Sequence, residues 1–321
     1  MLKQFHQTKQ AVGSDVTLVL VAESDEIRVD KLFMNLWSSI FKFERRFSRF
    51  LPSSELSIFN RLGGQEKAIS PEFKEILVAA KDMANFTNGL FNPFILPALQ
   101  RAGYTKSFLP GHENDIQDDY SNRVVVPASE LEIGDDWAKI PFGTSIDLGG
   151  CGKGYLADQL ASDLPDFVKG FWFSLGGDIV AGGQNDLGQP WTVHIANDVN
   201  QEEQKPFTFQ SDDFEKFAVA TSGTNIRRGL NDKKTRWHHI IDPRTLLPST
   251  SDIQLASIYC KSALKADVLA SSAIIVGSDE AIEFLKSHGV QASLLQTVSN
   301  EDISFGDNLK SVVINREKTY A

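Results

Sequence analysis

The sequence predicts an α+β protein in which helices and strands are interspersed. Three observations support that class. Apolar residues recur at helical spacing over several long segments. Short β-branched and aliphatic runs stand between them. No βαβ period repeats along the chain. The first element is Val16 to Ala22, whose short aliphatic run predicts a buried strand. A helix follows from about Asp25 to Phe47, where Leu32, Phe33, Leu36, Ile40 and Phe43 keep helical spacing and acidic residues open the first turn. Ser70 as N-cap and Pro71 at N1 start a second helix that turns Phe73, Ile76, Leu77, Ala80 and Met83 inward, and Gly89 ends it. Residues 103 to 136 are polar and turn-rich, as expected of a long connection or variable insertion.

Ser145-Ile146-Asp147 reads as a strand leading into the run Leu148-Gly149-Gly150-Cys151-Gly152-Lys153-Gly154-Tyr155, which opens a helix through about Leu164. Phe171 to Ser174 and Trp191 to Ile195 predict strands. A polar segment from Asn197 to Asp213 separates them from the run Phe217-Ala218-Val219-Ala220. Helices around Lys265 to Ile275 and Ser278 to His288 follow, then a strand from Val290 to Gln296. There is no internal repeat and no low-complexity linker.

Composition narrows the function. The chain has 321 residues, 41% hydrophobic and 23% charged, which suits a globular enzyme able to bury a large core. A net charge of −10 argues against general nucleic-acid binding, and Arg45-Arg46 and Arg227-Arg228 are isolated pairs that build no basic stripe. An acidic protein that handles an anionic ligand must neutralise it locally, with a metal or with backbone N–H groups. Cys151 and Cys260 are too few for a disulfide framework. No run approaches the ~18 apolar residues of a membrane span, and no apolar segment follows Met1 as an export signal would. A cytoplasmic protein is expected from the chain as it stands; an exported protein with its signal removed would read the same.

Three segments carry chemistry. The glycine cluster at 149 to 154 fails the P-loop and G-x-G-x-x-G spacings, leaving an aspartate, a tight glycine turn and a lysine at a helix start. Such a turn permits close approach of phosphate to N–H groups; a bare strand-to-helix turn needs the same small residues. Asp267 and Ser271, four apart, share one face of an otherwise apolar helix, where an unpaired carboxylate is costly. Carboxylate plus hydroxyl suits Mg²⁺ and not zinc, although an exposed Asp near a helix N-terminus is the plainer reading of that pair alone. In Trp237-His238-His239-Ile240-Ile241-Asp242-Pro243, adjacent strand residues point to opposite faces, so the two histidines would not share an ion.

Together these segments resemble the ApbE family of FAD:protein FMN transferases, with motifs in the family's order from about Ala11 to Gln296. Phe47-Ser48-Arg49-Phe50 with Ser54-Glu55-Leu56-Ser57 and Asn60 looks like its "FSRF…SELS..N" block. Thr87 to Pro93 looks like "TGGAFDP", Ile146 to Tyr155 like "IDLGGIAKGY", and Leu175-Gly176-Gly177-Asp178 like "LGGD". Val219 to Gly223 is similar to "VATSG", His239 to Thr245 to "HIIDPRT", and Ala266 to Ser271 to "ADALAT".

The resemblance implies one ApbE-like, T-fold-related flavin transferase domain over 1–321, of mixed sheets with packed helices and a variable connection near 103–136. It implies that Val12, Phe50, Asp147 and Lys153 contact FAD, that Leu90, Phe91 and Asn92 line the flavin site, and that Ile240 lies near the isoalloxazine. Gly150 through its carbonyl, Asp267 and Ser271 would hold Mg²⁺, and His239 would be the acid–base residue. The implied reaction is Mg²⁺-dependent transfer of FMN from FAD to a Thr or Ser hydroxyl of an acceptor flavoprotein, releasing AMP. An FAD pyrophosphatase or a non-catalytic flavin-binding protein are the alternatives. Three positions depart from the family: Asn92 stands for the usual Asp and removes a charge beside the flavin, Ser271 stands for Thr, and Val12 stands for Met.

Overall fold

Residues 18–22 are apolar at every position, and all five are buried. A strand of that kind needs cover on both faces, which places it inside a layered sheet. The computed structural model describes residues 2–23, 25–105, 124–195, 207–211, 213–225, 228–230 and 236–311. Its main sheet has eight strands: β1 (Leu2–Ala11), β2 (Ser14–Glu23), β3 (Val168–Leu175), β4 (Asp178–Gly183), β5 (Phe217–Gly223), β6 (Ile253–Cys260), β7 (Ala292–Thr297) and β8 (Asp302–Phe305). They lie side by side in chain order, and every neighbouring pair is antiparallel.

Five longer helices accompany the sheet: α1 (Glu26–Phe47), α2 (Pro71–Phe86), α3 (Gly152–Ser162), α4 (Ala263–Val276) and α5 (Ser278–Ser287). The side chain of Asp25 caps α1 by accepting from the Arg28 N–H at 3.2 Å, and Arg45 and Arg46 sit in the last turn, where the helix dipole favours cations. Val29, Phe33, Leu36, Trp37 and Ile40 of α1 pack with Leu18 and Leu20 of β2 and with Leu156 and Leu160 of α3. Leu32 and Phe43 are only half-buried at the margin of this face. Ser70 accepts from the Phe73 N–H and Pro71 opens α2, as its sequence predicts. α4 is apolar nearly all round and accordingly buried, packed against β5, β6 and α3. A Cβ on Gly154 would lie 2.4 Å from the Ala263 carbonyl oxygen, so glycine sets how closely α3 can approach α4.

A three-stranded sheet of Thr192–Ile195, Phe207–Gln210 and Leu309–Ser311 packs beside β5, β6 and β7. There Phe209 and Phe217 stack on Tyr259. The segment 197–213 therefore holds a strand where only polar connection is expected, because Thr208 and Phe209 are buried in that sheet; residues 197–206 and 212 lie outside the described residues. The 103–136 connection also contains regular structure. Glu132–Ile133 pairs with Trp137–Lys139, which pairs on its other side with Lys67–Ala68, in a small antiparallel sheet, while 106–123 lie outside the described residues. Among the described residues no helix is long and apolar enough to cross a membrane.

Candidate active site

The tip of the β1–β2 hairpin, the end of α1, the 90–92 turn, the glycine turn before α3, the ends of β3 and β5, the 239–241 bend and one face of α4 converge on a cleft of about 980 Å³. Val12, Phe50, Leu90, Phe91, Asn92, Asp147, Gly150, Lys153, His239, Ile240, Asp267 and Ser271 all line it. Residues as far apart in the chain as Val12 and Ser271 thus meet on one surface.

The hairpin tip is built under strain. Ala11 pairs with Ser14, leaving Val12 and Gly13 as a two-residue turn with φ of 48° and 72°. Both angles suit a type I′ turn, but a β-branched residue in the left-handed region costs about 1–3 kcal/mol.

The glycine turn differs from its sequence reading in two ways. Residues 145–148 pair with no strand; the Asn60 side chain substitutes for a ladder, accepting from the Ile146 N–H and donating to its carbonyl, both at 2.8 Å. The turn's N–H groups are also mostly engaged within the protein. Gly149 donates to Asp147 Oδ2, Cys151 and Gly152 donate to the Leu148 carbonyl, and Gly154 donates to Asp267 Oδ2. The turn is thereby a rigid spacer and a poor phosphate cradle, which transfers the task of neutralising an anion to other groups. Burial pushes the Cys151 thiol well above its ordinary value of 9.0, with the Asp267 and Asp147 carboxylates adding to the effect, so it is no nucleophile.

Three of the acidic groups here are tied down. Asp147 Oδ1 accepts from Arg49 Nε at 2.8 Å, with the two side chains only 9% and 7% exposed. Lys153 forms an ion pair with the buried Asp178, whose Oδ1 also accepts from the Thr221 N–H. Asp267 is 6% exposed, which overturns the plainer reading of a solvated N-terminal carboxylate. Ser271, one turn further along α4, donates to the Val268 carbonyl.

The apolar part of the lining is shaped by turns. Asn88 and Gly89 have φ of 50° and 83° and redirect the chain after α2. The Thr87 hydroxyl accepts from the Phe91 N–H. The Phe91 ring passes 3.5 Å from where a Gly150 Cβ would stand, which puts the ring in van der Waals reach of the glycine turn. Asn92 accepts from the Phe94 N–H and donates through Nδ2 to the Val126 carbonyl, both at 2.9 Å. That second bond needs an amide, which gives Asn92 a structural reason to differ from Asp. The histidines do diverge, but not by strand alternation. The strand Arg236–His238 ends before His239, which lies in a bend. His238 is fixed through Nε2 to the Ser249 carbonyl, while His239 lines the cleft.

The cleft carries Asp15, Glu44, Asp147, Asp178 and Asp267 against Arg45, Arg49 and Lys153, and Arg49 and Lys153 are already paired with two of those carboxylates. Arg49, Asp178 and Tyr104 were not identified as site residues from sequence. The first two stand inside the "FSRF"-like and "LGGD"-like blocks, which are the signals that could have found them; Tyr104 carries no motif.

The sequence model of the ApbE family matches residues 12–294, nearly all of the described chain. The chain belongs to the ApbE family. Among related ApbE proteins, an FAD:protein FMN transferase of Vibrio cholerae is 25% identical over 261 residues, covering 80% of this chain and 76% of its own. One of Treponema pallidum is 32% identical over 163 residues, covering 47% of this chain and 43% of its own. Among solved structures, the ApbE protein of Thermotoga maritima superposes with a TM-score of 0.77 at 21% identity, covering 94% of this chain and 96% of that one. The apo flavinyl transferase ApbE of Pseudomonas stutzeri gives 0.76 at 20% identity, covering 97% and 95%. The α+β architecture predicted from sequence is therefore the ApbE fold.

Proposed function

We propose that this ApbE protein transfers FMN from FAD to a Thr or Ser hydroxyl of an acceptor protein, with Mg²⁺ as its cofactor. The observation that carries the reading is the lining of the cleft, which brings the oxygen donors and paired charges around α3 and α4 together with apolar and aromatic side chains from 50, 90–91 and 240. A flavin suits the apolar part of that lining and a pyrophosphate needs the polar part. The names of the ApbE relatives support the same reaction.

The donor set fits magnesium. One buried carboxylate from Asp267, the Ser271 hydroxyl and the Gly150 carbonyl are oxygen ligands only, and Mg²⁺ is usually held by one or two carboxylates together with substrate phosphates. Among the described residues no group of three or more His, Cys, Asp or Glu side chains has the arrangement of an all-protein metal cage. When bound, the ion would offset the negative charge that a pyrophosphate brings into an acid-rich cleft.

The protein's own residues do the rest. Phe50, Leu90, Phe91 and Ile240 offer a surface for the flavin ring. Lys153 faces the phosphates with its charge tempered by Asp178. The acceptor hydroxyl attacks the phosphorus nearer riboflavin, the P–O bond to AMP breaks, and AMP leaves with the electron pair. Nδ1 of His239 is buried, so Nε2 is the ring nitrogen placed to take the hydroxyl proton.

The test measures AMP release from FAD with and without Mg²⁺ and with and without a Thr-containing acceptor peptide. Release that requires both, with FMN recovered on the peptide, is expected. Equal release without the peptide would make hydrolysis the reaction, and binding of FAD without release would make the protein a carrier. FAD should also quench more tightly than FMN in a fluorescence titration, because half of its anchoring comes from the AMP side.

A further inference from the structure

We propose that Tyr104 is a positioning residue that holds the His239 imidazole in place, and that Arg49 in turn holds Tyr104. The proposal rests on the reading of His239 as the proton acceptor.

The backbone of His239 offers little restraint, since it sits in a bend between two short hairpins. Its ring instead meets the Tyr104 ring edge-on, with centroids 6.1 Å apart and an interplanar angle of 67°, an arrangement aromatic pairs prefer. Tyr104 is unusually well fixed for a residue just beyond a short helix. Leu96–Arg101 ends with Gly103 in the left-handed region, φ 99°. The Gly103 N–H donates to the Gln100 carbonyl and the Tyr104 N–H reaches back to the Leu99 carbonyl. These two bonds make a Schellman stop, which sets the direction of the chain at Tyr104.

Arg49 completes the brace. Its guanidinium carbon lies 4.2 Å from the centroid of the Phe50 ring and 4.5 Å from that of Tyr104. Nη2 donates to the Tyr104 carbonyl at 2.9 Å, and Nε to Asp147. A guanidinium can do all of this at once because it is planar, permanently charged and offers donors in a rigid fork; an ammonium cannot. Tyr104 is thus held at its ring and at its backbone, and the buried Asp147 supplies the countercharge that lets a cation sit there. The brace joins segments 49–50, 104, 147 and 239, all of which line the cleft. It lets an imidazole on an irregular segment keep the orientation that proton transfer demands, where an error of about 1 Å can cost on the order of 10²-fold in rate.

The experiment uses the full-length protein with Tyr104→Leu and Tyr104→Phe, each alone and combined with His239→Ala. Three quantities are followed: kcat for peptide-dependent AMP release, FAD affinity by fluorescence quenching, and the His239 Cε1–H resonance by NMR. Tyr104→Leu should lower kcat by about 10- to 100-fold, leave FAD affinity unchanged and move the resonance. Tyr104→Phe restores the ring and should recover both kcat and the resonance. In the His239→Ala background Tyr104→Leu should have no further effect, since coupled residues are not additive. The proposal is overturned if kcat is untouched, if the loss persists undiminished without His239, or if it appears in FAD affinity alone. Should His239→Ala itself spare turnover, the proton-acceptor reading fails, and the resonance alone decides whether Tyr104 holds the ring. Should Tyr104→Leu unfold, Arg49→Lys replaces it and is judged by the same resonance.

Discussion

The two walls of the cleft hold their side chains in opposite ways. On the α3–α4 side every carboxylate has a fixed internal partner: Asp147 takes Arg49 and the Gly149 N–H, Asp178 takes Lys153 and the Thr221 N–H, and Asp267 takes the Gly154 N–H. On the side of 90–92 and 239–241, shape comes from left-handed turns, a capping Asn92 and packed rings. A wall whose dipoles are already oriented pays no reorganisation when charge develops. A wall of packing and turns can accept a planar ring and a variable acceptor. The difference separates electrostatics from positioning, and substitutions on each side should fail differently.

The largest effect is expected at Asp267. Asp267→Ala should lower AMP release on the order of 10³-fold with the far-UV dichroism unchanged; a loss of only a few-fold would erase the electrostatic character of that wall. Next comes His239→Ala, at about 10²-fold in kcat with FAD affinity retained, while His238→Ala should spare turnover and lose roughly 1 kcal/mol of stability with its bond to Ser249. Reversal of the two histidines would put the wrong ring in the cleft. Gly154→Ala forces a methyl toward the Ala263 carbonyl and should cost about 2 kcal/mol in urea unfolding. Asn92→Asp removes the donor to the Val126 carbonyl and should cost about 1 kcal/mol by the same measurement.

The smallest expected effect is one of pH. Burial lowers the His238 imidazole below its ordinary 6.5. The unfolded chain therefore takes up this proton first, so the stability due to the neutral ring is complete above 6.5 and is lost as pH falls below it. Urea midpoints on the two sides of that value, for the natural protein and for His238→Asn, should show a shallower acid loss in the variant.

What the sequence revealed follows from where signals are concentrated. Asp267 was legible because a carboxylate stands out in an apolar helix, and the glycine turn because few chains place so many small residues before a lysine. The helices α1 and α2 were legible through helical period and the residues that open them, and α4 as a long apolar run. β1 was not: it is an edge strand with Lys3, Gln4, His6, Thr8, Lys9 and Gln10 exposed, and edges are kept polar to prevent unwanted pairing. β6 hides its polarity within a sheet. Ser257 is buried there because its hydroxyl meets that of Thr221, its register partner, at 2.9 Å, so neither alternation nor a plain apolar run emerges. The Asn60 side chain that replaces a ladder beside Ile146 leaves the sequence looking like a strand where no strand pairs. Tyr104 gave no signal, since its place depends on a helix stop and on a guanidinium from a remote segment.

The strand order of the main sheet bears on how the molecule comes together. Hairpins β1–β2, β3–β4 and β7–β8 join neighbours across short turns, but β2 and β3 are neighbours separated by residues 24–167. Closing a loop of that length costs about 4 kcal/mol in chain entropy, and none of its return arrives until both strands meet. The sheet should therefore form late at this seam, as a two-strand piece and a six-strand piece that zip together. Much of the cleft belongs to the intervening loop or to the strand ends beside it, including Asp147 and Lys153. A nascent chain would accordingly hold no flavin-sized cavity until long after its first strands have paired, and pulse-labelled hydrogen exchange at Leu20 and Phe171 would time that moment.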